Sequence, residues 1–236
     1  MTLLNKNKIL LYLLFFSLGI ISSFSLPPYN LFYINFFSYP ALLWTLLFYS
    51  KDKIVSFNIG WVFGFGYFIS NLYWITNSLT FEDIFKPLIP FALILIPLFL
   101  GLFYGFSTLF FSFFNPQKNF LSILILATAM SVFEYIRSFL FGGFPWNLIA
   151  FSFVNYLEFI QILSITGTYA FNSLVILLFL FPTILFFNDK RKIKISIFIV
   201  SLLALFTNYF WGNLNLRQFE LTEKKDLGFN IKIISP

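Results

Sequence analysis

Cysteine and histidine are both absent from the 236-residue chain. Without a thiol or an imidazole, these residues can build no disulfide, no Cys-His or Ser-His nucleophile and no His- or Cys-ligated metal site. Neither a metal nor another cofactor is expected. Charge is scarce too: Asp, Glu, Lys and Arg fill 10% of the positions, against roughly 25% in an ordinary soluble domain. So little polar material cannot coat a globule of this size, and the outer surface is expected to face lipid. The formal net charge of +6 does not point to nucleic acid. The basic residues fall in short loops between apolar runs, where positive charge orients membrane helices.

In place of charge there is apolar bulk, with 59% hydrophobic residues and a mean hydropathy of +0.88. The 39 phenylalanines, alongside many Ile, Asn and Lys, read as the composition of an A/T-rich genome rather than a special role for Phe. Long apolar segments run over Ile9–Ser25, Leu31–Phe48, Phe57–Leu79, Leu88–Phe114, Phe120–Phe141, Thr166–Phe187 and Ile193–Trp211. A helix rises 1.5 Å per residue, so about 20 residues cross a hydrocarbon core of ~30 Å. Most of these segments meet that length; the first two are short and are separated by Pro27-Pro28, which no helix continues through. The first segment, preceded by Lys6 and Lys8, has signal-peptide features but reads as a retained anchor, because further spans follow.

With the N-terminus inside, the cytoplasmic loops hold Lys6, Lys8, Lys51, Lys53, Lys118, Lys190, Arg191, Lys192 and Lys194. The outside positions before Trp211 hold only Lys86 and Arg137, as the positive-inside rule requires. The fold class expected is therefore all-α integral membrane, a bundle of about seven transmembrane helices with its N-terminus in. Residues 142–165 carry Pro145, Asn147, Asn155, Glu158 and Gln161, and read as an outer-face loop with an interfacial helix. The domain reading is a polytopic membrane domain over 1–211, followed by 212–236. There a polar stretch leads to the alternating Ile231–Ile234, which reads as the opening strand of a truncated extracytoplasmic domain.

Gly60/Gly64 and Gly101/Gly105 have the four-residue spacing that lets helices approach closely, most simply within one bundle. Glu134 and Arg137 are the ionisable residues deep in an apolar segment. Three apart, they share a helix face, which suggests an internal ion pair with Arg137 reaching to the outer interface. The functional alternative is a phospholipid headgroup or substrate contact. Phe144-Pro145-Trp146 follows closely and joins a rigid proline to an indole suited to the headgroup level.

Taken in order, several pieces form a recognisable series. They are Phe24-Ser25-Leu26-Pro27-Pro28-Tyr29-Asn30, Gly60-Trp61-Val62-Phe63-Gly64-Phe65-Gly66-Tyr67-Phe68, Leu72-Tyr73-Trp74-Ile75, Glu134-Tyr135-Ile136-Arg137, Gly143-Phe144-Pro145-Trp146-Asn147 and Gln161 to Tyr169. The series resembles the membrane domain of apolipoprotein N-acyltransferase, the bacterial enzyme that adds the third acyl chain to lipoproteins. The resemblance implies an inner-membrane location, a phospholipid acyl donor, a diacylated apolipoprotein acceptor and a periplasmic nitrilase-like domain with a Glu/Lys/Cys triad. No triad residue can be placed on this chain, and acyl-thioester chemistry is excluded for these residues alone. The nitrilase-like domain would have to act in cis or in trans. Glu134, Arg137, Phe144, Pro145 and Trp146 are the candidate lipid- or substrate-binding residues, with Glu134 expected to hold Arg137 in place. The alternative function is a non-catalytic membrane anchor for a separately encoded enzyme such as a polyprenol-sugar synthase.

Overall fold

The computed structural model describes residues 3–140 and 143–221. Its α-helices are α1 Leu3–Ser23, α2 Asn35–Tyr49, α3 Lys53–Asn71, α4 Ile89–Phe113, α5 Phe120–Arg137, α6 Leu157–Ile160, α7 Leu163–Leu180 and α8 Arg191–Leu221. No strand occurs among the described residues, and the expected strand Ile231–Ile234 lies outside them.

Local chemistry explains several boundaries. Pro27-Pro28, joined by a cis peptide bond, separates α1 from α2. Asp52 caps α3 by accepting from the Val55 amide at 3.1 Å, and Asn119 caps α5 by accepting from Ser122 at 3.3 Å. The expected third span to Leu79 stops as an α-helix at Asn71, and Tyr73–Thr80 continues as tighter 3₁₀ turns. Gly167 sits at φ +73°, so the first turn of α7 is offset from the rest by a left-handed kink that favours glycine. At the other end of the chain, α8 runs past Trp211 to Leu221.

Among the described residues, four helical stretches are long and apolar enough to cross a membrane: Asp83–Phe113, Phe120–Arg137, Leu163–Phe186 and Arg191–Phe219. The apolar part of α1 is shorter, Lys8–Ser23, and α2 has 15 residues. In α3 the apolar residues are diluted by glycine, serine and asparagine.

The centre of the molecule is glycine-packed. α3 makes its most extensive contacts with α4 and then α1. A Cβ at Gly64 would meet the backbone of Gly101 and the ring of Tyr104, and one at Gly101 would meet the backbone of Trp61 and Phe65. The two four-residue glycine spacings therefore face each other inside one bundle, as expected. Gly19 and Gly66 do the same between α1 and α3.

The helices alternate in direction, which gathers the basic loops at one end. Lys8 pairs with Asp52 at 3.4 Å, and Lys53 reaches the Ser112 carbonyl and Asn115. The Asn188 amide donates to the Lys118 carbonyl at 3.1 Å, and the Phe120 amide donates to Asp189 at 2.9 Å. At the opposite end lie the 24–31 turn, residues 72–88 and residues 143–162. This last region does more than rest on the bundle, because Leu148, Ile149, Ala150, Ser152 and Phe153 are buried within it. Its expected interfacial helix is reduced to a 3₁₀ turn over Ile149–Phe153 and the single turn α6.

Candidate functional site

α5 carries Glu134 and Arg137 into the interior, where each is only 1% exposed. A charged group removed from water and lipid headgroups needs polar partners, and the two residues find different ones. Tyr104 of α4 donates to Glu134 Oε1 at 2.8 Å, and Asn172 of α7 donates to Oε2. Asn172 in turn accepts from the Ala150 amide at 3.0 Å. Glu134 thereby ties α4, α5, α7 and the Ile149–Phe153 turn to one point.

Arg137 ends α5 and turns toward the segment that follows it. One terminal nitrogen donates to the carbonyls of Phe144 at 3.1 Å and Trp146 at 2.9 Å. Its guanidinium carbon lies 5.0 Å from the centre of the Phe68 ring. The expected ion pair with Glu134 does not form: the ion pairs among the described residues are Lys8–Asp52 and Lys86–Asp83. Glu134 is occupied by Tyr104 and Asn172, while Arg137 is drawn off by carbonyls folded over it. For the same reason the Arg137 side chain is enclosed by protein instead of extending to the surface.

Those carbonyls come from a strap with a defined shape. Gly143 at φ +82° and Asn147 at φ +58° both adopt left-handed backbone, which glycine and asparagine accept most readily. Tyr67 of α3 donates to the Asn147 carbonyl at 3.0 Å, fixing the far end of the strap. The Phe144 side chain packs against the core, whereas Pro145 and Trp146 remain exposed.

Beside the strap is a cavity of about 490 Å³ lined by Pro27, Pro28, Tyr29, Trp74, Trp146 and Asn147, among others. Trp74 and Trp146 lie with ring centres 5.6 Å apart at its rim. Ser23 donates to Ser70 at 2.8 Å in its wall, and the amide nitrogen of Asn71 is buried there without a partner. The cavity is thus apolar and aromatic with a few polar groups, the pattern of a small-ligand site.

Of the five candidate residues, the structure joins Arg137, Phe144 and Trp146 directly, brings Pro145 to the surface beside them and places Glu134 in a separate network. Tyr67, Tyr104, Asn172 and Trp74 were not anticipated as site residues. Asn172 could have been found, as an amide in the middle of an apolar helix.

The chain is similar to known proteins over most of its length. Residues 18–181 match the family described as apolipoprotein N-acyltransferase N-terminal domain. The apolipoprotein N-acyltransferase of Agrobacterium fabrum is 33% identical over 184 residues, covering 71% of this chain and 33% of that protein. Its counterpart in Allorhizobium ampelinum is 28% identical, covering 92% of this chain and 42% of the relative. The Sinorhizobium fredii protein is 30% identical, covering 85% and 39%. The chain thus spans between a third and somewhat over two-fifths of the length of these relatives. All three are acyltransferases and lend nothing to the sugar-synthase anchor reading. By the extent and position of the family match, this chain belongs to the apolipoprotein N-acyltransferase family through its N-terminal domain.

Proposed function

We propose that the chain is the membrane part of an apolipoprotein N-acyltransferase in a bacterial inner membrane, where it seats the lipid portions of donor and acceptor for a catalytic domain. The observation that carries this reading is the aromatic-rimmed cavity beside the 143–147 strap. It is built from family-like segments distant in sequence: Pro27-Pro28-Tyr29, Trp74 and Trp146-Asn147. Indole rings at the rim suit the headgroup level, and the apolar wall suits acyl chain. Trp146 would contact lipid. Arg137 would act at one remove, by holding the carbonyls on either side of Pro145 and so aiming the indole.

On this reading α1, α2, α3, α4, α5, α7 and α8 are the membrane passes. The basic end is cytoplasmic, and the cavity and the C-terminal end of α8 are periplasmic. Residues 1–211 form the membrane domain, and 212–236 lead toward a nitrilase-like domain acting in cis or in trans. The thiol that carries the acyl group must come from that domain, since no cysteine lies within these residues.

The test is to supply the catalytic domain of the Agrobacterium fabrum relative, fused after the tail, and to measure transfer from phospholipid vesicles to a diacylated lipoprotein. Trp146→Ala and Trp74→Ala should raise the phospholipid concentration needed for half-maximal rate while leaving thermal stability unchanged. Activity falling only in step with stability would show the two indoles to be structural and reject the seat.

A further inference from the structure

α8 is attached to the rest of the molecule chiefly through α6. Asn208 donates to the Phe159 carbonyl at 3.1 Å, Tyr209 packs on Phe159 at 5.7 Å, and the Gly212 position abuts the Glu158 carbonyl. Toward the basic end, no residue of its most apolar stretch is buried. A cleft of about 270 Å³ separates the middle of α8 from α7, with Leu174, Leu178, Ala204 and Asn208 among its walls and Phe159 and Ile162 at its end away from the basic loops. The Ser201 hydroxyl is bonded to its own helix at Ile197, so the wall it presents is apolar.

The cleft face of α8 continues into charge. Ser201, Ala204, Leu205 and Asn208 share one helical stripe, and the same 3-4-7 spacing run backward reaches Lys194 and Arg191, with Lys190 immediately before the helix. Lys190 and Arg191 are exposed, and no carboxylate pairs with any of the three among the described residues. Asp189, their acidic neighbour, is taken up by the Phe120 amide. Lys194 donates to the Leu185 carbonyl at 3.2 Å, in the 3₁₀ turn Phe181–Phe186 that follows α7. From Lys194 to Val200, the first cleft residue on α8, is about 9 Å of helix, and to Asn208 about 21 Å. That is the geometry of a headgroup followed by an acyl chain.

We infer that the α7–α8 cleft is a binding site for one anionic phospholipid of the leaflet at the basic end, with its phosphate at Lys190, Arg191 and Lys194 and an acyl chain between the helices. An apolar cleft open to a bilayer is filled by hydrocarbon, and the basic mouth selects an anionic headgroup. This goes beyond the proposed acyl-donor seat, which lies at the opposite end of the bundle. The lipid here is a resident that wedges α8 against the bundle.

The experiment reconstitutes the whole chain in nanodiscs of equal phosphatidylglycerol and phosphatidylcholine, then identifies retained lipid by native mass spectrometry. The parent should keep one phosphatidylglycerol in preference to phosphatidylcholine. Ala204→Trp, which fills the cleft, should lose it, while Leu203→Trp, outside the cleft, should keep it. Replacing Lys190, Arg191 and Lys194 by Gln should retain a lipid but lower the preference on the order of a hundredfold, about fivefold per charge. Equal retention of both lipids by the parent would overturn the site. Unchanged phosphatidylglycerol on Ala204→Trp would also overturn it, because a diffuse pull of the basic end needs no cleft. Should Ala204→Trp fail to fold, the charge variant decides alone: an undiminished preference there sinks the proposal.

Discussion

Arg137 and Glu134 share one helix face yet serve different neighbours, and that division is the source of the clearest prediction. A charged donor bonded to buried carbonyls contributes about 1.5–3 kcal/mol per bond. Arg137→Gln, which shortens the side chain and removes its charge, should cost about 3 kcal/mol and lower the melting temperature by roughly 10 °C. Arg137→Lys should recover part of that loss, because one ammonium can still serve both carbonyls. Asn172→Leu should be at least as damaging as Arg137→Gln, since it strips partners from Glu134 and the Ala150 amide together. Thermal unfolding in detergent checks the order; an Asn172→Leu protein as stable as the parent would refute the network's role. Sequence pattern singled out Glu134 and Arg137 because buried charge is costly. It could not assign their partners, because the Phe144 and Trp146 carbonyls are backbone atoms and carry no signature in residue type.

Between helices, small residues set the distances. With Gly64 and Gly101 backbone to backbone, α3 and α4 leave no room for a branched side chain. Gly64→Val should therefore force the helices apart and cost about 1–3 kcal/mol or more, whereas Ile54→Val on the exposed part of α3 should cost almost nothing. Gly167→Ala is a different case: nothing lies within 4 Å of the added methyl, so its penalty comes from the left-handed backbone alone. Melting temperatures of the three variants would separate these mechanisms. The glycine spacings and the positions of α4 and α5 were legible in the sequence, since long apolar runs and paired glycines are one-dimensional signals. The early end of α3 was not. Residues 72–80 are apolar enough to extend a helix, but they are held as 3₁₀ turns, with Tyr73 and Trp74 exposed at the cavity. The burial of Ile149–Phe153 was not legible for a related reason, as that turn is held by Asn172 across the bundle.

For the molecule as a whole, the clustering of Lys8, Lys51, Lys53, Lys118 and the 190–194 group at one end predicts a single orientation. A reporter active only in the periplasm should be bright when fused after Leu221 and dark after Lys192; the reverse would reject the proposed topology. Purified alone and given phospholipid and a diacylated lipoprotein, the chain should show no N-acylation, and measurable transfer would demand chemistry other than a thioester. The length of α8 sets a further constraint. Its 31 residues span about 46 Å, while the hydrocarbon core needs ~30 Å. If its basic first turn is pinned at one headgroup layer, an upright α8 carries Leu221 about 16 Å clear of the hydrocarbon on the other side. The helix is thus a ruler as well as an anchor: whatever it delivers is stood off from the bilayer by a fixed height, and removing one helical turn would lower it by about 5 Å while leaving its bearing on the cavity nearly unchanged.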